Sequence, residues 1–421
     1  MTLLINHNRL MGELETLAGF TAATSAATEP APLGKAVTRI VFSEPDLRAR
    51  AWLKGLCLAA GLEVREDAVG NTFARWHGTD REAAAIGTGS HIDAIPHSGC
   101  YDGTVGVLGG LEAIRALRES GLQPRRSMEL LLLTSEEPTR FGIGCLGSRL
   151  LTGSLDAAVD DTLHDEENNS LREVRGRAGF TGDLAGVRLQ PGYYAAFVEL
   201  HIEQGPLLEQ RGVPLGVVTA IAAPASLRME IQGRGGHAGA VLMPARHDAF
   251  LAAAEISLAL EAAARSTGSI DSVATTGVCD IFPRAINSIP SRVRLEADIR
   301  DIDAARRDGM IAALERACSE VAARRGVTIA TEFINRDAPA VCDAGVVAAM
   351  SAVCEEQGLP FDLMVSRAYH DSLFMSRICP TAMLFIPCRA GVSHRPDEYS
   401  SPEAVAQGTL VLANTMARLA G

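Results

Sequence analysis

Ionisable and metal-ligating side chains recur in short runs through this sequence, each just past an apolar stretch. Gly89-Ser90-His91-Ile92-Asp93 follows AAAIGT. Residues two apart in an extended chain point the same way, so Asp93 can orient the His91 imidazole, as a metal-binding histidine requires. A surface histidine beside an aspartate is the plainer alternative. Asp102, in Cys100-Tyr101-Asp102-Gly103, could ligate a cation or simply cap a helix beginning at 103. Thr134-Ser135-Glu136-Glu137-Pro138 closes the run MELLLLT with adjacent carboxylates, which repel each other unless something positive lies between them. One could ligate a metal while the other faces water as a general base; an exposed pair at a helix start is the competing reading. Glu199, His201 and Glu203 alternate onto one side of an otherwise apolar stretch, a costly arrangement without a counter-charge. Gly391-Val392-Ser393-His394-Arg395-Pro396 follows TAMLFIP. Each run is ambiguous alone. Together, two histidines and a shared carboxylate, with a further histidine and glutamate, suit a dinuclear metal centre that activates water.

For these runs to meet, the stretches before them must lie side by side. Apolar residues at helical spacing from Val41 to Ala59 predict a helix ending near Gly61, and 103–121 predicts another closed by Gly121. The runs 83–88, 128–134 and 195–202 predict buried strands. Strands alternating with helices imply a mostly parallel sheet covered on both faces, which places its sites past the carboxyl ends of its strands. After Gly216 the texture changes. VVTAIAAPASLRMEIQG reads as a strand with one exposed face, followed by an Ala-rich helix over 246–264, strand-like SVATTGVCDIF and VRLEADIRDI, and a helix over 303–325. Two helices on one face of an antiparallel sheet describe a small α+β domain. The expected organisation is an α/β domain, 1–216 and 334–421, interrupted by an α+β domain at 217–333.

Two residues of that inserted segment stand out. Arg300, in Leu295-Glu296-Ala297-Asp298-Ile299-Arg300, suits a bidentate grip on a substrate carboxylate or a structural salt bridge to a neighbouring Asp. His237 projects from the glycine-rich turn Gly233-Arg234-Gly235-Gly236-His237-Ala238-Gly239, where local sequence alone reads as a loop histidine. His97 and His247 read as ordinary loop or helix residues.

Composition narrows the partners. The 421 residues carry 39 basic and 51 acidic side chains, a formal charge of −12, which argues against nucleic acid or an anionic membrane as the main partner. With 47% hydrophobic and 21% charged residues, the chain is globular rather than disordered. No apolar run approaches the roughly 20 residues needed to span a bilayer. MTLLINHNRLMGELETL lacks the basic and long apolar segments of a signal peptide. Nine cysteines, none in CxxC pairs and set in apolar surroundings, read as the reduced core thiols of a cytoplasmic protein.

Taken in order, GSHIDAIPHSGCYDGTVGVL, TSEEPTRFGIGCLGS, ELHIEQGPLLE, GRGGHAGAVLMPARHDA, NSIPSRVRLEADIRD, YHDS and GVSHRPDEYS resemble one dinuclear-metal amidohydrolase family. It contains L-carbamoylases, allantoate amidohydrolases, ureidoglycolate amidohydrolases and β-ureidopropionases, and is related to aminoacylase-type peptidases. The resemblance implies that His91, Asp102 and His201 hold one divalent ion and that Asp102 bridges to a second, completed by Glu137 and His394. It makes Glu136 the catalytic base and Asp93 the support of His91. It also implies that 217–333 is a lid and dimerisation domain, that the protein is a homodimer, and that His237 reaches the partner's site to stabilise the developing oxyanion. Implied substrate contacts are Gln204, Asn287, Arg300, Tyr369 and His370. Such a His/Asp/Glu set accepts manganese, zinc, cobalt or nickel; oxygen-rich ligation and the resemblance lean to manganese, with zinc next.

Within the family, VVTAIAAPASLRMEIQGRGGHAGAVLMPARHDA and AYHDSLFMSRICPTAMLFIPCRAGVSHRPDEYSSP bear the closer likeness to the ureidoglycolate amidohydrolase branch. Carbamoylases and allantoate amidohydrolases usually carry Gly-Ala-Gly-His-Asp-Ala where this chain has Arg367-Ala368-Tyr369-His370-Asp371-Ser372, and a bulky Tyr369 favours a small substrate. The implied activity is hydrolysis of a ureido C–N bond in a small carboxylate. (S)-Ureidoglycolate, giving glyoxylate, ammonia and carbon dioxide, stands ahead of N-carbamoyl-L-amino acids and allantoate. An aminopeptidase fits less well, because HIEQGP marks the ureido-cleaving branch. An inactive binding or scaffold protein would need a lost ligand, and none of the five is missing.

Overall fold

Strands buried on both faces can only sit in the middle of a layered sheet, and the runs ending at His91 and Leu133 are buried at every residue. The computed structural model describes residues 3–23 and 34–421. In chain order these form β1 (Glu63–Glu66), β2 (Thr72–Trp76), β3 (Ala85–His91), α1 (Thr104–Glu119), β4 (Met128–Leu133), β5 (Tyr194–Ile202) and β6 (Leu215–Ile221). There follow β7 (Ala223–Gln232), α2 (Ala249–Ser266), β8 (Val273–Phe282), β9 (Arg292–Asp301), α3 (Ala304–Arg325) and β10 (Thr328–Arg336). The chain closes with β11 (Phe361–Ser366), β12 (Thr381–Ile386) and α4 (Pro402–Ala420). Two compact units result: Met1–Thr219, Cys342–Met364 and His370–Gly421 in the first, Ala220–Val341 and Val365–Tyr369 in the second.

The first unit is built on a mixed sheet ordered β6-β12-β5-β3-β4-β2-β1, with β11 also paired to β6. Its centre is parallel, as the alternating pattern implies: β12 with β5, β5 with β3, and β3 with β4. The flanks are antiparallel, because β1 and β2 form a hairpin against β4 and β6 returns along β12. Helices α1 and α4 pack together and against the sheet. A separate cluster, including Phe73, Leu131, Leu133, Leu146, Leu150, Tyr194, Phe197 and Met375, forms a second apolar core. Each such side chain taken out of water contributes about 1.5–3 kcal/mol. The four parallel strands therefore bring their carboxyl ends to one rim.

The second unit is a four-stranded antiparallel sheet, β8-β9-β7-β10. Alternation places Leu227, Met229, Ile231, Val293, Leu295 and Ile299 against Ala252, Ile256 and Leu260 of α2 and Met310 and Leu314 of α3. The intervening Arg228, Glu296, Asp298 and Arg300 are not buried.

Three expectations change. The run expected as a single strand after Gly216 breaks at Ala222, so that β6 pairs with β12 while β7 pairs with β9 and β10. β10 gave no clear signal because it is an edge strand with most residues exposed, which leaves it without an apolar face to read. All nine cysteines are free, yet Cys279 on edge strand β8 is exposed rather than in a core. Among the described residues, no helix is long and apolar enough to cross a membrane; Met1 and Thr2 of the N-terminal segment read against a signal peptide lie outside those residues.

Candidate metal centre

His91 ends β3, Glu136 and Glu137 follow β4, His201 stands in the last turn of β5's pleat, and His394 follows β12. Each strand must give way abruptly to a loop here. Ser135, Gln204 and His394 do so with left-handed φ of 55, 56 and 58°, uncommon for side chains with a Cβ and characteristic of functional rims. Gly103, at φ 64°, opens α1 where any Cβ would collide with the His91 imidazole. Gly103 is the helix N-cap residue, so Asp102 is not spent on capping.

Asp102 is central, and its two oxygens face different partners. Oδ1 lies 3.1 Å from His201 Nε2 and 3.8 Å from His91 Nε2. Oδ2 lies 3.1 Å from His394 Nε2, which is itself 3.3 Å from Glu137 Oε1. His91 Nε2 is also 3.7 Å from Glu136 Oε2. Two triples result, His91-Asp102-His201 and Asp102-Glu137-His394, each with ligand atoms within 4.8 Å and both sharing Asp102.

Backbone carbonyls orient two of the imidazoles. His91 Nδ1 sits 3.0 Å from the Asp93 carbonyl oxygen and His201 Nδ1 2.9 Å from that of Ile202. A carbonyl only accepts, so each Nδ1 carries the hydrogen and each ring, when neutral, turns its Nε2 lone pair toward Asp102, that of His201 also accepting from the Gly103 N–H at 3.2 Å. Acceptors then face acceptors, an arrangement that requires a proton or a cation between them. The residues fit a metal pair. A third triple, Glu199-His201-His370, also falls within 4.8 Å. Glu199, however, already accepts from Ser90 Oγ at 2.7 Å, Ser372 Oγ at 2.6 Å and Ser372 N at 3.2 Å.

The charges register this strain. Burial, then repulsion from Asp102, pushes Glu137 up to about 8. Burial, then Glu137, Asp371 and Asp102, holds Glu136 well above the usual carboxylate range. Burial opposes the charged form of Asp102, but hydrogen bonds to His201 and His394 carry it well below its usual value. His201 is pulled down by burial but raised on balance to about 9 by Asp102, and His394 is held at about 9 chiefly by Asp102.

Several expected residues sit differently. The Asp93 carboxylate lies 3.8 Å from His91 Nδ1, farther than the Asp93 carbonyl. It accepts instead from the N–H groups of Glu136 at 3.3 Å and Glu137 at 3.0 Å, so it holds the acidic pair while its carbonyl holds the histidine. Glu203 accepts from Leu207 N and Leu208 N and caps the short helix Leu207–Arg211. Gln204 Nε2 donates to Asp102 Oδ2 at 2.7 Å. The His370 ring centroid is 4.5 Å from that of His201. Sequence reasoning missed Ser393 and Glu398, which contact Asp102. It also missed buried Asp371, whose Oδ1 accepts from Ser148 Oγ at 2.5 Å. All three stand inside quoted motifs, but nothing in their spacing marks them.

In the second unit, Arg300 gives Nε and Nη2 to Asp298 at 2.7 and 3.3 Å, and its guanidinium lies 5.9 Å from the Tyr369 ring centroid. His237 is exposed on the two-residue strand Gly236–His237, paired with Ser288–Ile289. The Asn287 carbonyl accepts from Ala238 N and its side chain is exposed. His247 is turned to the Arg325 carbonyl and His97 is exposed.

The family model of peptidase family M20/M25/M40 matches residues 87–418. The chain is 51% identical over 421 residues to a ureidoglycolate hydrolase of Oryza sativa subsp. japonica, with 99% of this chain and 85% of that relative covered. It is 38% identical over 385 residues to an N-carbamoyl-L-amino acid amidohydrolase of Geobacillus stearothermophilus, with 91% and 93% covered. The crystal structure of AtUAH in complex with (S)-hydroxyglycine matches with a TM-score of 0.90 at 50% identity, covering 99% of this chain and 98% of that one.

Removing divalent ions should expose the site's own titration. His201 and His394 hold protons up to about 9 when folded against 6.5 ordinarily, so the stability they add is complete below 6.5 and lost as pH rises through 9. Glu137, at about 8 against 4.5, also keeps a proton on folding, and its contribution fades as pH rises from 4.5 to 8. The signs agree. In chelator, the melting temperature should fall between about pH 6.5 and 9, and saturating divalent ion should flatten that fall. A flat profile in chelator would refute this account of the charges.

Proposed function

The chain belongs to peptidase family M20/M25/M40, and from that premise we propose that it hydrolyses a ureido C–N bond in a small carboxylate, (S)-ureidoglycolate first. Glyoxylate, ammonia and carbon dioxide are the final products. The observation that carries the metal-dependent reading is Asp102, which offers one oxygen to each of two ligand groups. His91, Asp102 and His201 would hold one divalent ion; Asp102, Glu137 and His394 would hold the other. When bound, such a pair supplies Lewis acidity, polarising a carbonyl and lowering the pKa of water toward neutrality. Manganese suits the oxygen-rich set best and zinc next, with cobalt and nickel also accepted.

Glu136 is the group that moves the proton. It is buried on the rim beside the proposed ligands, and burial holds its pKa above the usual carboxylate range, so it retains an abstracted proton better than a free carboxylate would. It takes a proton from the attacking water and delivers it to the leaving nitrogen as the C–N bond breaks. Asp93 keeps Glu136 in place through its backbone N–H. Gln204, Asn287, Arg300, Tyr369 and His370 are the proposed substrate contacts. The preference for ureidoglycolate rests on the high identity to a ureidoglycolate hydrolase and on the volume that Tyr369 occupies. N-carbamoyl-L-amino acids and allantoate are the alternative substrates, each matched by a less similar relative. The nine free thiols support a cytoplasmic location.

Glu136→Gln should keep its metal and lose about 10²–10⁴-fold in turnover, measured on metal-reconstituted protein. The same assay run on ureidoglycolate, allantoate and carbamoyl amino acids tests the substrate, and faster hydrolysis of either alternative would displace ureidoglycolate. Arg300→Lys should raise KM for the carboxylate substrate, because an ammonium cannot reproduce the fork. Equal loss with an analogue lacking the carboxylate would leave Arg300 a structural partner of Asp298.

The proposed working form is a C₂ homodimer in which His237 of each subunit assists the reaction at the partner's metal centre. The exposed imidazole on a short, glycine-flanked strand supports this reading. His237→Ala should be folded and metallated yet lose about 10²–10³-fold in turnover. Mixing it with Glu136→Gln places both lesions in one site of each heterodimer and leaves the other intact, so each heterodimer should recover about half the activity of a wild-type dimer. No recovery in verified heterodimers would place His237 in its own subunit's site or outside catalysis.

A further inference from the structure

The geometry points to Glu398 as a positioning residue of the metal centre, fixing the loop that carries Asp102 and tying it to the loop that carries His394. The inference rests on the metal-centre reading above. Glu398 is 2% exposed and its two oxygens do separate work. Oε1 accepts from the backbone N–H of Tyr101 at 2.8 Å and of Asp102 at 3.1 Å. Oε2 lies 2.9 Å from Ser393 Oγ, which is 3.0 Å from Asp102 Oδ2. One side chain thus holds the Asp102 backbone directly and shares with its carboxylate the Ser393 hydroxyl, whose single hydrogen serves one of the two oxygens at a time.

The surrounding chain is folded around this carboxyl. A Cβ at Gly99 would run into the Glu398 side chain, so the turn before Asp102 closes on it directly. Ser393 immediately precedes His394, whose left-handed φ of 58° aims the imidazole at Asp102 Oδ2. A Cβ at Gly391 would come within 2.6 Å of Pro206 N, which packs this same loop onto the segment after Gln204. The segments 99–102 and 391–398 are distant in sequence; Ser393 and His394 meet the Asp102 carboxylate, and Glu398 holds the backbone N–H groups of Tyr101 and Asp102. Its contacts ask for an acceptor of two N–H groups and a partner for one hydroxyl. A carboxamide meets both: its oxygen accepts, and its NH₂ donates to Ser393 Oγ, leaving that hydroxyl free to donate to Asp102.

The test is a Mn²⁺ titration of metal-free wild type, Glu398→Ala, Glu398→Gln and Ser393→Ala, read as free Mn²⁺ by electron paramagnetic resonance. Melting temperatures in chelator accompany it. Glu398→Ala should weaken Mn²⁺ binding about 10–100-fold, the usual loss when a group orienting a ligand is removed. Glu398→Gln should stay close to wild type, and Ser393→Ala should fall between. A side chain that served the fold alone would lower the melting temperature in chelator and leave the Mn²⁺ midpoint of Glu398→Ala unchanged; that overturns the inference. Binding by Glu398→Gln as weak as by Glu398→Ala also overturns it, because charge rather than position would then be at stake. Should Glu398→Ala fail to fold, Glu398→Asp decides, because its shorter side chain draws the carboxylate back from the Tyr101 and Asp102 N–H groups; weaker binding supports the inference and an unchanged midpoint overturns it. Wild-type protein that takes up no Mn²⁺ overturns the metal-centre reading itself, and this inference with it.

Discussion

The Asp102 carboxylate faces two groups of ligand atoms at once, and most of the first unit's local geometry follows from that demand. A single aspartate can serve His201 on Oδ1 and His394 on Oδ2 only if the end of β5 and the loops carrying Asp102 and His394 meet within a few ångströms. Burial makes the arrangement expensive without positive charge. Two like charges about 4 Å apart repel by roughly 4 kcal/mol even at an effective dielectric constant of 20, and Glu136, Glu137 and Asp102 crowd one rim. The upward shifts of both glutamates and of two histidines are one response: without a cation, the site takes up protons instead.

The scaffold meets this demand through rigid backbone rather than through long flexible side chains. Parallel strands β3, β4, β5 and β12 bring their carboxyl ends to the same side. Behind them Arg39, fully buried, donates to the carbonyls of Ile92, Leu17 and Phe20 at 2.6, 2.8 and 2.8 Å, pinning the link between His91 and Asp93. Burial lowers that guanidinium to about 10, which still leaves it charged at neutral pH beneath an acidic rim. Asp93 then uses both ends of its short side chain and backbone, the carbonyl for His91 and the carboxylate for the Glu136–Glu137 turn. The candidate ligands are thus fixed by groups outside the two candidate ligand sets.

How much of this the sequence disclosed depends on whether a feature is local. The strands ending at His91, Leu133 and Ile202 are continuous apolar runs, and each is followed by its chemistry-bearing residues, so the rim could be read from pattern alone. Alternation along 292–301 likewise marked one buried face of the second sheet. The division of 217–232 between two sheets was not legible, because the break at Ala222 is set by which strands wait alongside rather than by any turn residue. Edge strand β10 was missed because it buries little. At the site, the spacing of His91 and Asp93 gave the right pair and the wrong atoms: which oxygen meets the imidazole depends on where the Glu136 backbone arrives from another strand. Glu203 shared the period of Glu199 and His201, but a short helix after Pro206 offered its carboxylate two unsatisfied N–H groups, and capping won.

The same local rules bear on how folding and ion uptake depend on each other. Nothing about the unfolded chain brings Asp102, His201 and His394 together, so whatever free energy an ion gains by binding them belongs to the folded state alone. Conversely, without ions Glu137 keeps a proton that a free carboxyl loses, and His201 and His394 keep protons that a free imidazole loses above its ordinary pKa; a divalent ion held by these groups would have to displace them. Ion affinity at the proposed centre would therefore rise with pH across the range in which the metal-free fold weakens. The two trends oppose each other, and their balance, not the ligand set by itself, determines the pH at which the loaded protein is most stable. Polar groups that hold the ligands before any ion arrives, such as the Asp93 and Arg39 contacts, shift that balance toward binding, because they have already met the ordering cost of a site that repels itself when empty.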